Sequence, residues 1–253
     1  MVRTFALTAL AVFLLLGGLW QPHDPDAVDI LARHSGMTAS HPLGTDHLGR
    51  DLLSRILAGG WRTACVLLSV GFIGFTAGTL LGTAAAVLGG WRESVLLRCC
   101  EFFITVPTLI IALTAAAIFG LTPLSAGLAL GLAGIGPHAL FAHALSRRVI
   151  SQPFILAARA LGVPPGRMIA RHLLPNTLPL MFSHVGNQAG LAVVAYASLA
   201  FIGLGADPSK PDWGSMLFEY RVFIFDHPAL MIWPGIAIAG TVAVLNAVFD
   251  DPD

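Results

Sequence analysis

Four side chains within eleven residues, His41, Asp46, His47 and Asp51, are of the kinds that hold metal ions or exchange protons. Their spacing matches no established ligand pattern, and the Pro42-Leu43-Gly44 turn between them reads as structural, so the residues alone support neither a metal nor a catalytic site. A second group, His138, His143, His184, Asn187 and Gln188, falls in or near late apolar stretches. A secondary transporter would place ionisable relays there, but each of these reads first as a packing, interface or pore-wall residue. Cys65, Cys99 and Cys100 form no CxxC, and the vicinal pair is poorly placed for a disulfide. All three read as small buried apolar residues without a redox or metal role. No GxxxxGK[ST] occurs, so no nucleotide site is expected in this chain.

The elements that must position these residues are membrane spans. Hydrophobic residues make up 56% of the 253, and mean hydropathy is +0.79. Only 11% are charged, against about 25% in a soluble domain. A lipid-facing surface accounts for that shortage. Net charge is zero, which implies no nucleic-acid partner. Residues 4–20 are uncharged, follow Arg3 and end at Trp20, an interface anchor, with no small-x-small cleavage site. Residues 1–20 are therefore expected to be a retained first span. Residues 21–62 are polar and turn-rich, and Leu48, Leu52, Leu53, Ile56 and Leu57 oppose Arg50, Asp51, Ser54 and Arg55. That pattern predicts a short amphipathic helix at the membrane surface. Further spans are expected at 63–88, 102–121, 124–142, 181–203 and 229–249, within a core of residues 63–249. Gly74, Gly78 and Gly82, four apart, predict a close-packing helix face. The expectation is an all-α integral membrane protein with six transmembrane helices.

Charge sets the expected orientation. Residues 144–180 carry Arg147, Arg148, Arg159, Arg167 and Arg171 and no acid. Residues 21–62 hold four basic and five acidic residues, and 204–228 two and four. Arg3, the Arg92–Arg98 turn and the basic loop are then cytoplasmic, and the acidic segments external. Within the loop, Pro153–Leu161 predicts a helix, Gly162 a turn, and Pro164-Pro165 the start of a second helix that Pro175 ends or kinks. Such an exposed helix can fit a groove on a soluble partner. An ordinary positive-inside loop with no partner is the alternative.

The stretch ILAARALGVPPGRMIARHLLPN resembles the EAA loop of permeases in binding-protein-dependent ABC importers. Ala157 and Ala158 match its alanines, Gly162 its central glycine, and His172, Pro175 and Asn176 its tail. Leu156 stands where many members carry glutamate, which removes a possible salt bridge. GTDHLGRD at 44–51, with Gly44, Thr45, Asp46, Gly49, Arg50 and Asp51, resembles the signature of the second permease of the dipeptide, oligopeptide and nickel group. SLAFIGLGADPSKPDWGSML at 198–217 and MIWPGIAI at 231–238 resemble further segments of it, while the usual ending is replaced by AVFDDPD. The resemblance implies a type I ABC importer permease fold with a cytoplasmic coupling helix from about Ala157 to Pro165. It implies a pore-forming subunit rather than an enzyme, in the bacterial inner membrane. The implied partners are a second homologous permease, two cytoplasmic ATPases that bind ATP and Mg, and a periplasmic or lipid-anchored solute-binding protein. The implied cargo is nickel, free or chelated, or small peptides. The string GTDHLGRD and Leu156 resemble the nickel branch, and a peptide-specific permease of the same family is the alternative.

Overall fold

The computed structural model describes residues 2–203, 207 and 209–249, and the described residues are helical apart from connecting segments. Leu204, Gly205, Ala206 and Pro208 of the 198–217 stretch, and the 250–253 ending, lie outside the described residues. Helix α1 (Val2–Leu19) is short and apolar. Helix α2 (Leu52–Leu88) is one continuous helix of 37 residues. It starts because the Asp51 carboxylate caps it, accepting from the Ser54 N–H at 2.8 Å. Of the amphipathic surface helix expected over 48–57, residues 48–51 lie in the preceding loop and residues 52–57 are the first turns of α2. Its polar side does not meet water, because Ser54 and Arg55 are as fully buried as Leu52.

The expected span at 102–121 is two helices. Helix α3 (Gly90–Thr105) takes in the charged stretch after Gly89, and α4 (Thr108–Phe119) leaves it at 74°. Pro107 has no N–H and holds Val106 extended (φ −82, ψ 121), which ends one helix before the other begins. Helix α5 (Pro123–Ile150) opens on a Thr122–Ser125 capping box and runs eight residues past the expected 124–142, so Arg147 and Arg148 sit in its last turn. After α6 (Pro153–Ala160) comes α7 (Pro165–Ile202), 38 residues long. Pro175 neither ends nor interrupts it. A wide π-type turn over Ile169–Leu173, just ahead of Pro175, takes up the missing N–H donor. Helices α8 (Trp213–Tyr220) and α9 (Ala229–Phe249) complete the fold.

Among the described residues, four helices, α2, α5, α7 and α9, are long and apolar enough to cross a membrane, and α3–α4 makes a fifth when counted as one bent span. Lipid supplies no hydrophobic drive between helices, so small residues set their approach. The glycine stripe of α2 lies on α5. A Cβ on Gly82 would sit 2.0 Å from the Ala139 carbonyl oxygen, and one on Gly78 2.6 Å from His138 Cβ. Helix α1 meets α2 in the same way, Gly17 against the Leu57 carbonyl. Of the cysteines, Cys100 is buried but Cys99 is exposed, since neighbours on a helix point about 100° apart.

The two ends carry different charge. His143 Nε2 donates to Glu93 at 2.6 Å, with Arg147 4.0 Å away, so the start of α3 and the end of α5 share one end with the basic loop. Arg50–Glu219 and Lys210–Asp26 pairs join the two acidic segments at the other.

Gly82→Leu is expected to push α2 off α5 and destabilise the protein by about 1–3 kcal/mol or more. Gly240→Leu, with nothing within 4 Å, should leave stability unchanged. Thermal unfolding in detergent checks both.

Candidate functional site

Residues 44–51 fold into a tight loop ahead of α2. Gly44 (φ +81) and Gly49 (φ +77) take left-handed backbone, and Gly49 lies so close to the Asp29 carbonyl that a Cβ would be 1.7 Å from it. Thr45 pairs with Asp51 across the loop and donates its hydroxyl to the Ala32 carbonyl. The loop wraps Asp46, which is fully buried. Asp46 Oδ1 accepts from Leu48 N at 2.8 Å and Arg50 N at 3.0 Å, and Oδ2 from Arg50 Nε at 2.6 Å and Tyr220 Oη at 3.0 Å. Arg50 reaches on to Glu219 at 2.5 Å, and the buried Arg55 joins Glu219 (3.4 Å) and the Pro25 carbonyl (3.1 Å). Two arginines and two carboxylates therefore balance charge inside the molecule, with both Asp46 oxygens satisfied by hydrogen bonds.

Burial alone would raise the Asp46 carboxyl, but the Arg50 guanidinium and the N–H groups of Arg50 and Leu48 hold it below the usual carboxylate range. Burial likewise opposes the Arg50 charge, yet Asp46 and Glu219 raise it further. Burial pushes His34 and His47 below 6.5, and both rings lie against Phe223.

The four candidates of the 41–51 cluster separate. Asp46 enters the arginine network, and His47 packs on Tyr220 with Glu219 3.5 Å away. His41 and Asp51 stay together at 2.9 Å, and His23, eighteen residues before His41, joins them. Glu219 and Tyr220 complete the network although no sequence motif singled them out.

At the other end, α6 puts Ile155 and Ala158 on a small core with Ile150, Met168, Leu173 and Ala86 of α2. Ala157 faces outward, as do Phe154, Leu156, Arg159 and Leu161. Gly162 (φ +74) closes α6 in a Schellman turn: Gly162 N donates to Arg159 O at 2.9 Å and Val163 N to Ala158 O at 3.1 Å. The His172 ring lies 6.4 Å from Phe154, and Asn176 Nδ2 donates to the His172 carbonyl at 2.6 Å. Pro175 falls in the first turn after the wide segment. Between these ends, a groove-like cavity of about 440 Å³ opens where α4 begins, against α2, α5 and α7, with Thr108, His138, Gln188 and Ser198 among apolar walls.

Residues 74–250 match the family of the binding-protein-dependent transport system inner membrane component. The chain belongs to that family. It is 32% identical to the probable D,D-dipeptide transport system permease protein DdpC of Escherichia coli (strain K12), over 98% of this chain and 84% of that protein. It is 30% identical to the nickel transport system permease protein NikC of the same strain, over 96% and 88%. A third relative is the dipeptide transport system permease protein DppC of Alkalihalophilus pseudofirmus, 32% identical over 98% and 80%. The family match begins at Gly74, whereas these relatives align across the 44–51 loop as well. The protein is accordingly a multi-pass inner-membrane permease subunit that forms a pore and leaves catalysis to other subunits.

Arg50→Met leaves Asp46 and Glu219 without their main cation and should cost about 3–5 kcal/mol, with partial recovery in Asp46→Asn/Arg50→Met. Acid acts on the histidines first. Both are held neutral in the fold, so as pH drops below 6.5 the unfolded chain takes up protons first and stability falls. Asp46 contributes stability above its unfolded value, and that contribution is lost only at lower pH, as its depressed folded value is crossed. Melting temperature should fall from pH 7 to pH 5, and His34→Gln/His47→Gln should flatten the slope.

Proposed function

We propose that this chain is one of two pore-forming permeases in an ABC importer, coupled through α6 to cytoplasmic ATPases. The observation that carries this reading is the α6 turn. A rigidly capped helix at the arginine-rich end presents Phe154, Leu156 and Leu161 outward, with 48%, 56% and 84% of their surface exposed. An exposed apolar tip, with Arg159, Arg167 and Arg171 exposed on the same loop, suits the groove of a soluble partner, and the family supplies that partner class. Ala157, Ala158, Gly162, His172, Pro175 and Asn176 are read as the ATPase-coupling loop. With Leu156 in place of an acid, contact there is apolar rather than ionic. Gly44, Thr45, Asp46, Gly49, Arg50 and Asp51 are read as the loop that shapes the external face.

In this reading the chain crosses the inner membrane six times, by α1, α2, the bent α3–α4 pair, α5, α7 and α9, with α6 in the cytoplasm. A second homologous permease covers the cavity at the start of α4. A periplasmic or lipid-anchored binding protein delivers the solute to the 21–62 and 204–228 side, and two ATPases carrying ATP and Mg drive the cycle. The cargo is nickel, free or chelated, or a small peptide. The nickel relative and the form of the 44–51 signature support the first, and the two dipeptide relatives support a peptide-specific permease as the second.

Gly162 has nothing within 4 Å of a would-be Cβ, so a side chain there meets backbone strain rather than a clash. Gly162→Val should lose solute uptake at normal membrane level, from about 1–3 kcal/mol of left-handed strain. Gly162→Asn, which tolerates that conformation, should keep most of it. Full uptake by the valine variant would overturn the coupling assignment. In a chain with its cysteines replaced, Leu31→Cys (98% exposed) should react with an impermeant maleimide in intact cells, and Leu161→Cys only after permeabilisation.

A further inference from the structure

His23, His41 and Asp51 meet where the chain leaves α1 and enters α2, and one ligand atom from each lies within 4.8 Å of the other two. Each is positioned by contacts other than those between them. The Asp51 carboxylate is almost fully buried, and its Oδ2 is held by Ser54 N at 2.8 Å and Ser54 Oγ at 2.6 Å. Its Oδ1 faces only His41 Nδ1, at 2.9 Å, and among the described residues no arginine or lysine lies within ion-pair distance of it. Buried carboxylates are paired with a cation or coordinate a metal, and the Asp51 Oδ1 side is open to either.

His23 is anchored twice. Its backbone N–H donates to Ser54 Oγ at 3.0 Å, and its ring Nε2 donates to the Ser40 carbonyl at 2.8 Å. In the neutral ring that bond leaves the Nδ1 lone pair free, as a ligating histidine needs. His41 is fixed by its own turn, its N–H on Thr38 Oγ1 at 3.0 Å and its carbonyl accepting from Gly44 N at 2.9 Å. The two rings lie 4.7 Å apart. A metal at roughly 2.0–2.2 Å from each ligand needs ligand atoms about 3.3 Å apart. Closure from 4.8 Å asks for a small movement of the exposed His23 ring that keeps Nε2 on the Ser40 carbonyl. Two imidazoles and one carboxylate favour a first-row divalent transition metal over magnesium or calcium, which take oxygen ligands.

We propose that His23, His41 and Asp51 form a binding site for a divalent first-row transition-metal ion. Its placement at the outer mouth, where it would hold such an ion, rests on the importer reading above; the site itself rests on the three side chains.

The test uses the full chain in nanodiscs, without a polyhistidine tag, titrated with Co2+ and followed by its ligand-field absorption, then displaced with Ni2+. One ion per chain is expected. His23→Ala and His41→Ala should each weaken binding by roughly tenfold or more, while His227→Ala, in the same layer but outside the trio, leaves it unchanged. An aqueous Co2+ spectrum with the wild type would overturn the site, as would unaltered binding in both variants or equal loss in His227→Ala. Uptake by the assembled importer is measured separately, so failure of the transport reading leaves the binding result intact.

Discussion

The Asp46 carboxylate takes four hydrogen bonds, three from its own loop and one from Tyr220, 174 residues away. With Arg50, Arg55 and Glu219 it ties the segment before α2 to the helix before α9, and so fixes how the first and last parts of the chain sit on one another. Such a network is cohesive only when complete. The loop geometry around it, two left-handed glycines and a capped helix start, brings the donors to bear without leaving a charge unpaired.

The helical core depends on a different constraint. Without a solvent-driven term between spans, contact is set by how closely backbones approach, and glycine is placed where α2 meets α5 and where α1 meets α2. The end layer and the core therefore cohere by separate physics, one by ion pairing and the other by backbone proximity.

Local determinants were legible in the sequence. Gly162 was read as a turn because a Schellman motif involves only six consecutive residues, and the Gly74-Gly78-Gly82 stripe because four-residue spacing maps directly onto a helix face. Determinants that join distant segments were not. Tyr220 and Glu219 carry no local sign of their partners at 46 and 50, and His23 is brought to His41 by bonds to Ser40 and to Ser54 of α2. The 48–57 periodicity misled for a physical reason: a polar stripe looks the same whether it meets water or buried carboxylates. The expected span at 102–121 ran across Pro107, and whether the chain resumes straight or bent after a proline depends on packing that the pattern does not contain.

The wide turn over Ile169–Leu173 lets α7 continue past Pro175 as a single rod, roughly 57 Å long at 1.5 Å per residue over its 38 residues. A rod of that length converts angle into travel: tilting it by about 10° about one end sweeps the other through roughly 10 Å. The arginine-rich tip and the cavity wall near Gln188 and Ser198 belong to the same helix, so small rotations at the tip reach the cavity through two weak points, that wide turn and Pro179. Compliance along the helix is thereby concentrated between Ile169 and Pro179.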